Sequence, residues 1–367
     1  MTYSLPPLGR RSSSSPKKPQ FSWWKSIRRF SHLPFDLGID LGTSNTLIYS
    51  PYQGILLQES STIAINTSTQ SPIAVGAVAG QLLGRTSPNI RVCRPVRNGV
   101  VADLDLTQLM LQYFIRKAQW GTRLLRPRLL VGCSCGATEV ERSALIEAAF
   151  EAGAREVALI DEPVAAALGA GLPAEKPHGN LIVDIGGGTT EMAVVCASEA
   201  VFSHAIAVAG NRFDRNICDY FRQIHQLHLG ELTAENLKIR YGSMASNDDR
   251  DHTLVEIVGV NAGSGLPQRI SIAYGELREA LSISMDKITD ALSHFLETIP
   301  TELMTDIAER GMMLTGGGAL LPGLDTLIRD RASLPVHVAK TPLKSVALGM
   351  GKIFQDRHPQ QEIRWAS

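Results

Sequence analysis

Short apolar runs alternate with helical stretches from about residue 35 to residue 354. The short runs include residues 37–39, 47–49, 181–183 and 192–195, and their length is that of buried strands. This alternation is typical of an α/β protein. The predicted helices cover residues 105–119, 138–152, 162–170, 214–225, 274–296 and 345–354. Residues 247–251 and 261–267 are rich in polar residues and glycine and are predicted to be surface loops.

One polar turn occurs twice. Residues 40–46 read DLGTSNT and residues 184–190 read DIGGGTT, so both match an aspartate, an apolar residue, a glycine and a threonine at the same spacing. Each turn follows one apolar strand and leads into another. Two strand–turn–strand hairpins of this kind predict two similar lobes, each of which presents one turn to a shared cleft.

The composition of these turns suits a chain of phosphates. Gly42 and the glycines at 186–188 allow close approach of the backbone, so that consecutive N–H groups can point at an anion. Hydroxyl groups at positions 43, 44, 189 and 190 add short donors. The aspartate that opens each turn can orient a hydrated Mg²⁺, which keeps several waters and touches few carboxylates. If the turn occurred once, its aspartate could equally serve only to stabilise the turn. Because the turn occurs twice, phosphate binding is favoured.

A third glycine run reads MMLTGGGALLPG at residues 312–323. It has the pattern of a strand, a glycine turn and the start of a helix. Bare backbone at such a junction allows a flat ring or a sugar to lie against it. The alternative is a tight turn without a ligand.

The chain carries 36 basic and 36 acidic residues and is 44% hydrophobic. Zero net charge implies no general attraction to nucleic acid, and the chain offers the large core of a globular protein. Its charge is uneven, because residues 1–35 contain seven Lys or Arg and no acidic residue. Within this arm, Trp23, Trp24, Ile27 and Phe30 gather on one side of a helix, which predicts binding to a membrane surface. An organellar transit peptide is the alternative for the arm.

The turns described above and several further segments resemble those of a known protein family. The two phosphate turns, followed by the TGGGA turn, form the signature of the actin, Hsp70 and sugar-kinase superfamily. Within it the chain resembles the MreB family, in the segments GIDLGTSNT (38–46), RPVRNGV (94–100), ATEVER (137–142), DEPVAAA (161–167), TAENLK (233–238) and GLP (265–267). The resemblance runs from about residue 35 to residue 354. It implies an α/β, actin-like ATPase fold, with two similar lobes that each hold a mixed sheet flanked by helices, and a nucleotide between them.

The resemblance also implies the residues that bind ATP. The first phosphate loop corresponds to Thr43, Ser44 and Asn45, and the second corresponds to Gly188, Thr189 and Thr190. The segment along the ribose and adenine corresponds to Glu235, Asn236, Leu237 and Lys238. The adenosine turn corresponds to Gly316, Gly317, Gly318 and Ala319.

The same resemblance implies the catalytic and metal-side residues. Glu162 and Thr189 match the two residues that position the attacking water, and orienting water for in-line attack is a sensible role for a carboxylate and a hydroxyl. Asp40 and Asp184 match the aspartates on the Mg²⁺ side. Without the resemblance, Glu162 at a helix start is more typical of an acidic residue favoured by the helix dipole.

The chain departs from the family at several positions. Asn211 and Arg212 replace a usual acidic pair, Arg240 replaces a frequent glutamate, and residues 133–135 read CSC where proline, serine and glycine are common. The two arginines are expected near the rim of the nucleotide site. These departures leave the preferred base and the rate of hydrolysis open.

The expected domains follow the lobes. Residues 1–34 form the basic arm, and residues 355–367 form a polar tail. The first lobe comprises 35–173 and 340–354, with a small subdomain at about 67–128. The second lobe comprises 174–339, with a small subdomain at about 211–267.

The expected function is that of a weak Mg-dependent ATPase that forms filaments of identical subunits in the cytoplasm, at the inner face of the cell membrane. There it is expected to organise cell-wall synthesis and cell shape with membrane proteins such as MreC, MreD and RodZ, and to bind no nucleic acid. Leu124 and Leu125 match a membrane-inserting loop of the family, although a strand start is the alternative. A filament protein that positions organelles or plasmids, or a small-molecule kinase, is the alternative function.

Overall fold

The computed structural model describes residues 36–119, 126–245, 251–355 and 365–366. The predicted arm helix, Leu124 and Leu125, and most of the predicted loop at 247–251 lie outside these residues. The first part of the chain forms the elements β1 (Asp36–Leu41), β2 (Asn45–Ser50), β3 (Gly54–Ser60), β4 (Ile63–Asn66), β5 (Pro72–Val75), α1 (Ala77–Gln81), β6 (Ile90–Cys93), β7 (Val96–Arg97), β8 (Val100–Val101), α2 (Leu104–Ala118), β9 (Arg128–Cys133), α3 (Glu139–Glu151), β10 (Glu156–Asp161) and α4 (Glu162–Ala170).

The second part repeats the alternation of strands and helices. It forms the elements β11 (Asn180–Ile185), β12 (Thr190–Cys196), β13 (Glu199–Ile206), α5 (Gly210–Ile224), β14 (Leu227–His228), α6 (Glu231–Tyr241), β15 (Leu254–Asn261), β16 (Pro267–Ala273), α7 (Tyr274–Glu297), α8 (Thr301–Arg310), β17 (Met312–Thr315), α9 (Leu324–Ala332), β18 (Val336–Val338) and α10 (Ser345–Gln355). Two short 3₁₀ helices lie at Gly317–Leu320 and Pro342–Lys344.

The two large sheets have the same topology. Their strand orders are β3-β2-β1-β9-β10 and β13-β12-β11-β17-β18. In each sheet the first three strands in this order pair antiparallel with their neighbours. The third, fourth and fifth strands pair parallel with their neighbours. The direction of pairing changes at β1 and at β11, the two strands that the repeated turns follow. The prediction of two similar lobes is confirmed, while the exact domain boundaries stay a prediction.

Local sequence explains where several helices begin. Asp103 accepts a hydrogen bond from the backbone N–H of Leu106 at the start of α2, and Thr138 forms a capping box with Glu141 at the start of α3. All six predicted helices are present, and α4 has the predicted bounds. Helix α5 begins four residues before the predicted start, at Gly210. Its first N–H groups bond to the carbonyls of the second phosphate turn, which is a contact that helix periodicity cannot reveal.

A buried cluster joins the two lobes through α4 and α10. It contains residues of both sheets, such as Leu130 and Ile182, together with Val164 of α4 and Met350 of α10. The helices meet at glycines: a Cβ built on Gly169 would lie 1.8 Å from Ser345 O, and one built on Gly349 would lie 1.8 Å from Ala165 O. No larger side chain fits at either position.

The remaining elements form smaller units on the lobes. Sheet β5-β4-β6 belongs to the first lobe, and sheet β14-β15-β16 belongs to the second. The predicted loop at 261–267 is the turn between β15 and β16, where Asn261 Oδ1 accepts the N–H groups of Gly263 and Ser264. Among the described residues, no helix is long and apolar enough to cross a membrane.

Because α4 and α10 are in close contact, substitution of either glycine should greatly lower the stability of the protein. We expect Gly169→Ala or Gly349→Ala to lower the free energy of unfolding by about 3 kcal/mol or more, because the added methyl group overlaps backbone of the other helix. Urea unfolding followed by circular dichroism measures this change.

The matched control is Gly275→Ala in α7, where the nearest atom to the added Cβ is Asp251 O at 3.7 Å. This variant should be unchanged or gain up to about 1 kcal/mol, because alanine is the better helix former. Parental stability of Gly169→Ala and Gly349→Ala would show that the helices do not meet at these glycines.

Candidate functional site: a cleft between two glycine turns

The two repeated turns face each other across the cleft between the lobes. They lie at the carboxyl ends of β1 and β11. A Cβ built on Gly187 would lie 2.1 Å from Ser44 Oγ, and one built on Gly188 would lie 2.5 Å from Thr43 Oγ1. The opposite turn therefore excludes any side chain at these two positions, which is a second reason for glycine beside the approach of an anion.

A cavity of about 390 Å³ opens between the turns. This volume is within the range of small-molecule sites. The structure brings thirteen of the predicted site residues to its wall: Asp40, Thr43, Ser44, Asn45, Glu162, Asp184, Gly188, Thr189, Glu235, Lys238, Gly316, Gly317 and Gly318. They come from the ends of β1, β10, β11 and β17 and from α6, so segments that are distant in sequence converge on one site.

Asp40 and Asp184 occupy equivalent positions in the two hairpins, one residue before the end of β1 and of β11. Burial raises the pKa of both carboxyl groups to about 7; the charge of Asp184 adds to this for Asp40, and the charge of Glu191 adds to it for Asp184. Within the described residues, Asp184 Oδ1 is buried and has no hydrogen-bond partner. Enclosed carboxylates that lack a compensating cation fit a divalent metal ion such as Mg²⁺.

Glu162 is the first residue of α4 and faces the same cavity. The preceding Asp161 forms an ion pair with Arg142 at 2.7 Å, so these two neighbouring carboxylates have different environments. Burial raises the pKa of Glu162 well above its ordinary value, and the nearby charges of Glu191, Asp40 and Asp184 act in the same direction. Thr189 lines the cavity from the opposite lobe. A carboxyl group and a hydroxyl group are therefore available to orient a water molecule.

Glu191 is a buried acidic residue that sequence reasoning missed. It lies opposite Asp184 in the β11–β12 pair, and its Oε2 accepts a hydrogen bond from the backbone N–H of Cys135 at 3.1 Å. Because Cys135 follows β9, this bond joins the two lobes beneath the cavity. Burial raises the pKa of the Glu191 carboxyl group. The sequence feature that could have indicated Glu191 is its position immediately after the second repeated turn.

The far end of the cavity is mostly apolar. It is lined by Phe213, Ile239, Leu320, Leu321 and Leu343, none of which was predicted. The glycine turn after β17 lies against the end of β11: Gly316 has a φ of 79°, and its Cβ would lie 2.3 Å from Ile185 O. Only glycine adopts this conformation readily and leaves the backbone this close. Bare backbone and apolar side chains suit a flat ring.

Helix α6 contributes polar groups to the cavity. Lys238 Nζ lies 2.7 Å from Asp214 Oδ1 and donates a hydrogen bond to Gly210 O at 3.1 Å. Lys238 is therefore held against the start of α5. Glu235, one turn earlier on the same helix, also lines the cavity.

Four predicted residues do not line the cavity. The Oγ1 atom of Thr190 donates to Val208 O at 2.7 Å, and the Asn236 amide is exposed and donates to Leu232 O at 2.8 Å. Leu237 and Ala319 are buried in the core of the second lobe. The alternation of β12 and the period of α6 turn these side chains away, while their neighbours face the cleft. Among the residues that differ from the family pattern, Asn211 lines the cavity, whereas Arg212 and Arg240 do not.

Comparisons with known proteins identify relatives of this chain. The profile of the MreB/Mbl protein family matches residues 34–362. Cell shape-determining protein MreB of Escherichia coli (strain K12) is 46% identical over 325 residues, which are 87% of this chain and 93% of that protein. Cell shape-determining protein Mbl of Bacillus subtilis (strain 168) is 41% identical over 330 residues, which are 89% of this chain and 98% of that protein.

Solved structures show the same fold. MreB5 of Spiroplasma citri bound to AMPPNP has a TM-score of 0.82 and 37% sequence identity, covering 89% of this chain and 97% of that chain. The MamK double helical filament has a TM-score of 0.74 at 18% identity, covering 88% of this chain and 99% of that chain, and it supports the fold alone. With its repeated hairpins and two glycine turns around one cleft, the chain has an actin-like fold and belongs to the MreB/Mbl family.

Proposed function

We propose that this protein binds ATP with Mg²⁺ in the cleft, hydrolyses it slowly, and couples its nucleotide state to the assembly of filaments. One observation carries the proposal: the glycine turns of both lobes converge on a single cavity whose wall also includes two buried aspartates and a set of apolar side chains. The relative MreB5 of Spiroplasma citri was crystallised with AMPPNP and with ADP, which supports a nucleotide as the ligand.

Each part of the cavity suits one part of ATP. The N–H groups and hydroxyl groups of the turns at 42–45 and 186–189 would bind the phosphates from both sides. The apolar end and the Gly316–Gly318 turn would receive the adenine, while Glu235 and Lys238 would lie beside the ribose. Asp40 and Asp184 would hold Mg²⁺, which supplies charge stabilisation to the phosphates when bound.

Hydrolysis would depend on Glu162 and Thr189. Burial, and after it the acidic groups nearby, raise the pKa of Glu162, and compensation by bound Mg²⁺ would favour its charged form. A charged carboxylate at this position can accept a proton from water, and the Thr189 hydroxyl can fix the orientation of that water.

The first prediction concerns this pair. Glu162→Gln and Thr189→Val should bind ATP nearly as the parent does but release phosphate one to two orders of magnitude more slowly, which corresponds to roughly 1.4–2.8 kcal/mol of barrier. A phosphate-release assay combined with equilibrium titration of a fluorescent nucleotide measures both quantities.

Glu147→Gln is the matched control, because Glu147 is an exposed residue of α3 that does not line the cavity. It should hydrolyse ATP at the parental rate. A parental rate in Glu162→Gln would remove that residue from the mechanism, and loss of binding in both variants would assign them a binding role instead.

The shape of the fold is compatible with filament formation. A two-lobed subunit with different ends can associate head to tail, and such contacts produce a filament when they do not close into a ring. The nucleotide contacts both lobes, so it can favour the lobe arrangement that fits the next subunit. The filament in the MamK structure shows that a chain of this fold forms such assemblies.

The second prediction is therefore assembly that depends on nucleotide. At micromolar concentration, addition of ATP and Mg²⁺ should raise light scattering and produce filaments visible by negative-stain electron microscopy. Asp40→Asn together with Asp184→Asn should abolish the response to Mg²⁺ while the fold is kept, because these changes remove charge without adding bulk. Scattering that stays flat for the parent under these conditions would contradict filament formation.

We further propose that the filaments attach to the inner face of the cell membrane in the cytoplasm. The two candidate membrane elements are the arm at 1–34 and the loop that contains Leu124 and Leu125. The described residues that follow them are adjacent: Asp36 pairs with Arg128 in the β1–β9 register, and Arg128 Nε donates to Asp36 Oδ1 at 2.8 Å. Two elements that enter the body at one corner can meet the same surface, and repetition along a filament multiplies weak binding.

The third prediction tests this attachment by flotation with anionic liposomes. Deletion of residues 1–34 together with Leu124→Ser and Leu125→Ser should abolish co-flotation, because both apolar elements are lost. The matched control is Leu254→Ser with Leu266→Ser, which removes two leucines that are 67% and 65% exposed at the β15–β16 hairpin. The control should float as the parent does, and failure of the parent to float would overturn the attachment.

The relatives named cell shape-determining proteins support a role in cell shape and cell-wall synthesis. In this role the filaments would act with membrane proteins such as MreC, MreD and RodZ. Depletion of the protein in its host should change cell width or shape before it changes growth rate, and co-purification from membranes tests the partners.

A further inference from the structure

The side chain of Asn211 crosses the cleft. Asn211 is the second residue of α5, in the second lobe. Its Oδ1 accepts hydrogen bonds from Ser44 Oγ at 3.2 Å and from Arg94 Nη1 at 3.1 Å. Both donors belong to the first lobe, and Ser44 belongs to its phosphate turn. One amide oxygen therefore joins the two lobes at the mouth of the cavity.

The backbone of Asn211 is fixed to the second phosphate turn. The N–H of Asn211 donates to Gly187 O at 2.8 Å, and the N–H of Gly210 donates to Gly186 O at 3.1 Å. The ion pair of Asp214 with Lys238 holds the same helical turn against α6. Asn211 therefore moves with the second turn, and its bonds to the first lobe must break when the two turns separate.

The bridge contains one cation, Arg94, whose charge also acts on the carboxylate of Asp214. Within the described residues, Arg94 forms no ion pair, and its Nε is buried without a hydrogen-bond partner. A neutral amide accepts from a guanidinium more weakly than a carboxylate does. Asn211 therefore makes a directional link between the lobes that breaks more easily than an ion pair.

We propose that Asn211 is a positioning residue that holds the lobes closed over the phosphates through Arg94 and Ser44, and that this link sets the rate at which nucleotide leaves the cleft. The proposal rests on the proposed nucleotide binding. Asn211 does not take part in bond breaking. Its effect is on the closed arrangement of the lobes, which must open for the nucleotide to exchange.

The test is the release rate of a fluorescent ADP analogue, measured by stopped flow with excess unlabelled ADP. Asn211→Ala and Arg94→Met should each release the analogue about three- to ten-fold faster, which is the scale of one lost hydrogen bond. The double variant should release it no faster than the faster single variant, because both changes break the same link. Arg91→Met is the matched control: it removes an exposed cation of the adjacent β6 and should leave the rate unchanged.

A conservative variant separates this role from a general loss of packing. Asn211→Asp keeps an acceptor oxygen and adds a charge that pairs with Arg94, so it should release the analogue more slowly than Asn211→Ala. In the Arg94→Met background this difference should vanish or reverse, because the carboxylate then faces the phosphates without a cation. A difference that is independent of Arg94 would overturn the proposal.

Small-angle scattering of the nucleotide-free monomer provides a readout that does not need binding. Asn211→Ala should increase the radius of gyration relative to the parent and to Arg91→Met, because the lobes open more freely. Parental release rates and a parental radius, or additive effects of Asn211→Ala and Arg94→Met, would overturn the link. Failure of the parent to bind any nucleotide would instead contradict the proposed function, and the scattering comparison would still decide the role of Asn211.

Discussion

The close crossing of α4 and α10 is the contact on which the rest of the structure depends. The helices approach until backbone meets backbone at Gly169 and Gly349, and their side chains pack against both large sheets. Such packing resists deformation, since interiors of this density leave no room for displaced side chains. Each helix also begins at the cleft, because Glu162 opens α4 and Val346 near the start of α10 lines the cavity. The spacing of the lobes and the position of a catalytic candidate are therefore set by one contact.

A cleft held in this way concentrates negative charge. Asp40, Asp184 and Glu162 approach one another because the carboxyl ends of strands meet there, and Glu191 lies opposite Asp184 on β12. Burial raises the pKa of each. In isolation this grouping is unfavourable, since enclosed carboxylates lack solvation. A divalent metal ion would compensate this charge, and a polyphosphate chain bound by the opposing turns would help to hold that ion. The grouping of carboxyl groups therefore fits the ligand that is proposed for the cleft.

The lobes are joined by links of unequal strength. In the α4–α10 crossing backbone meets backbone, and the Cys135 N–H donates to the carboxyl group of Glu191. The link of Asn211 to Ser44 and Arg94 is made by side chains alone, through one neutral amide oxygen. Motion of the lobes should therefore pivot at the α4–α10 crossing and open at the Asn211 link, where the weaker interactions lie. Under the proposed function, this order of strengths would connect packing to nucleotide exchange and, through the lobe arrangement, to assembly.

The sequence by itself determined the class of the fold and most of the cavity wall. Repetition of an aspartate, a glycine and a threonine at fixed spacing indicated two equivalent hairpins, and the structure has two sheets of the same topology around them. Helix starts with local caps, such as those at Asp103 and Thr138, can also be predicted from sequence, because the capping group and its partner are three residues apart. The repeated turns and the glycine run indicated nine of the thirteen predicted lining residues, and the family resemblance added Asn45, Glu162, Glu235 and Lys238. The resemblance also included Leu237 and Ala319, whose orientation depends on the core.

Only the tertiary structure decided which residues of different lobes touch. Ser44 and Asn211 are 167 residues apart, and no local pattern marks their contact. Glu191 contacts the other lobe only because the segment after β9 lies next to it. Gly169 has no room for a side chain only because α10 crosses it. The apolar end of the cavity is likewise assembled from α5, α6 and two 3₁₀ segments. Local sequence fixes backbone preference and periodicity over a few residues, whereas these contacts arise from the packing of two separately formed lobes.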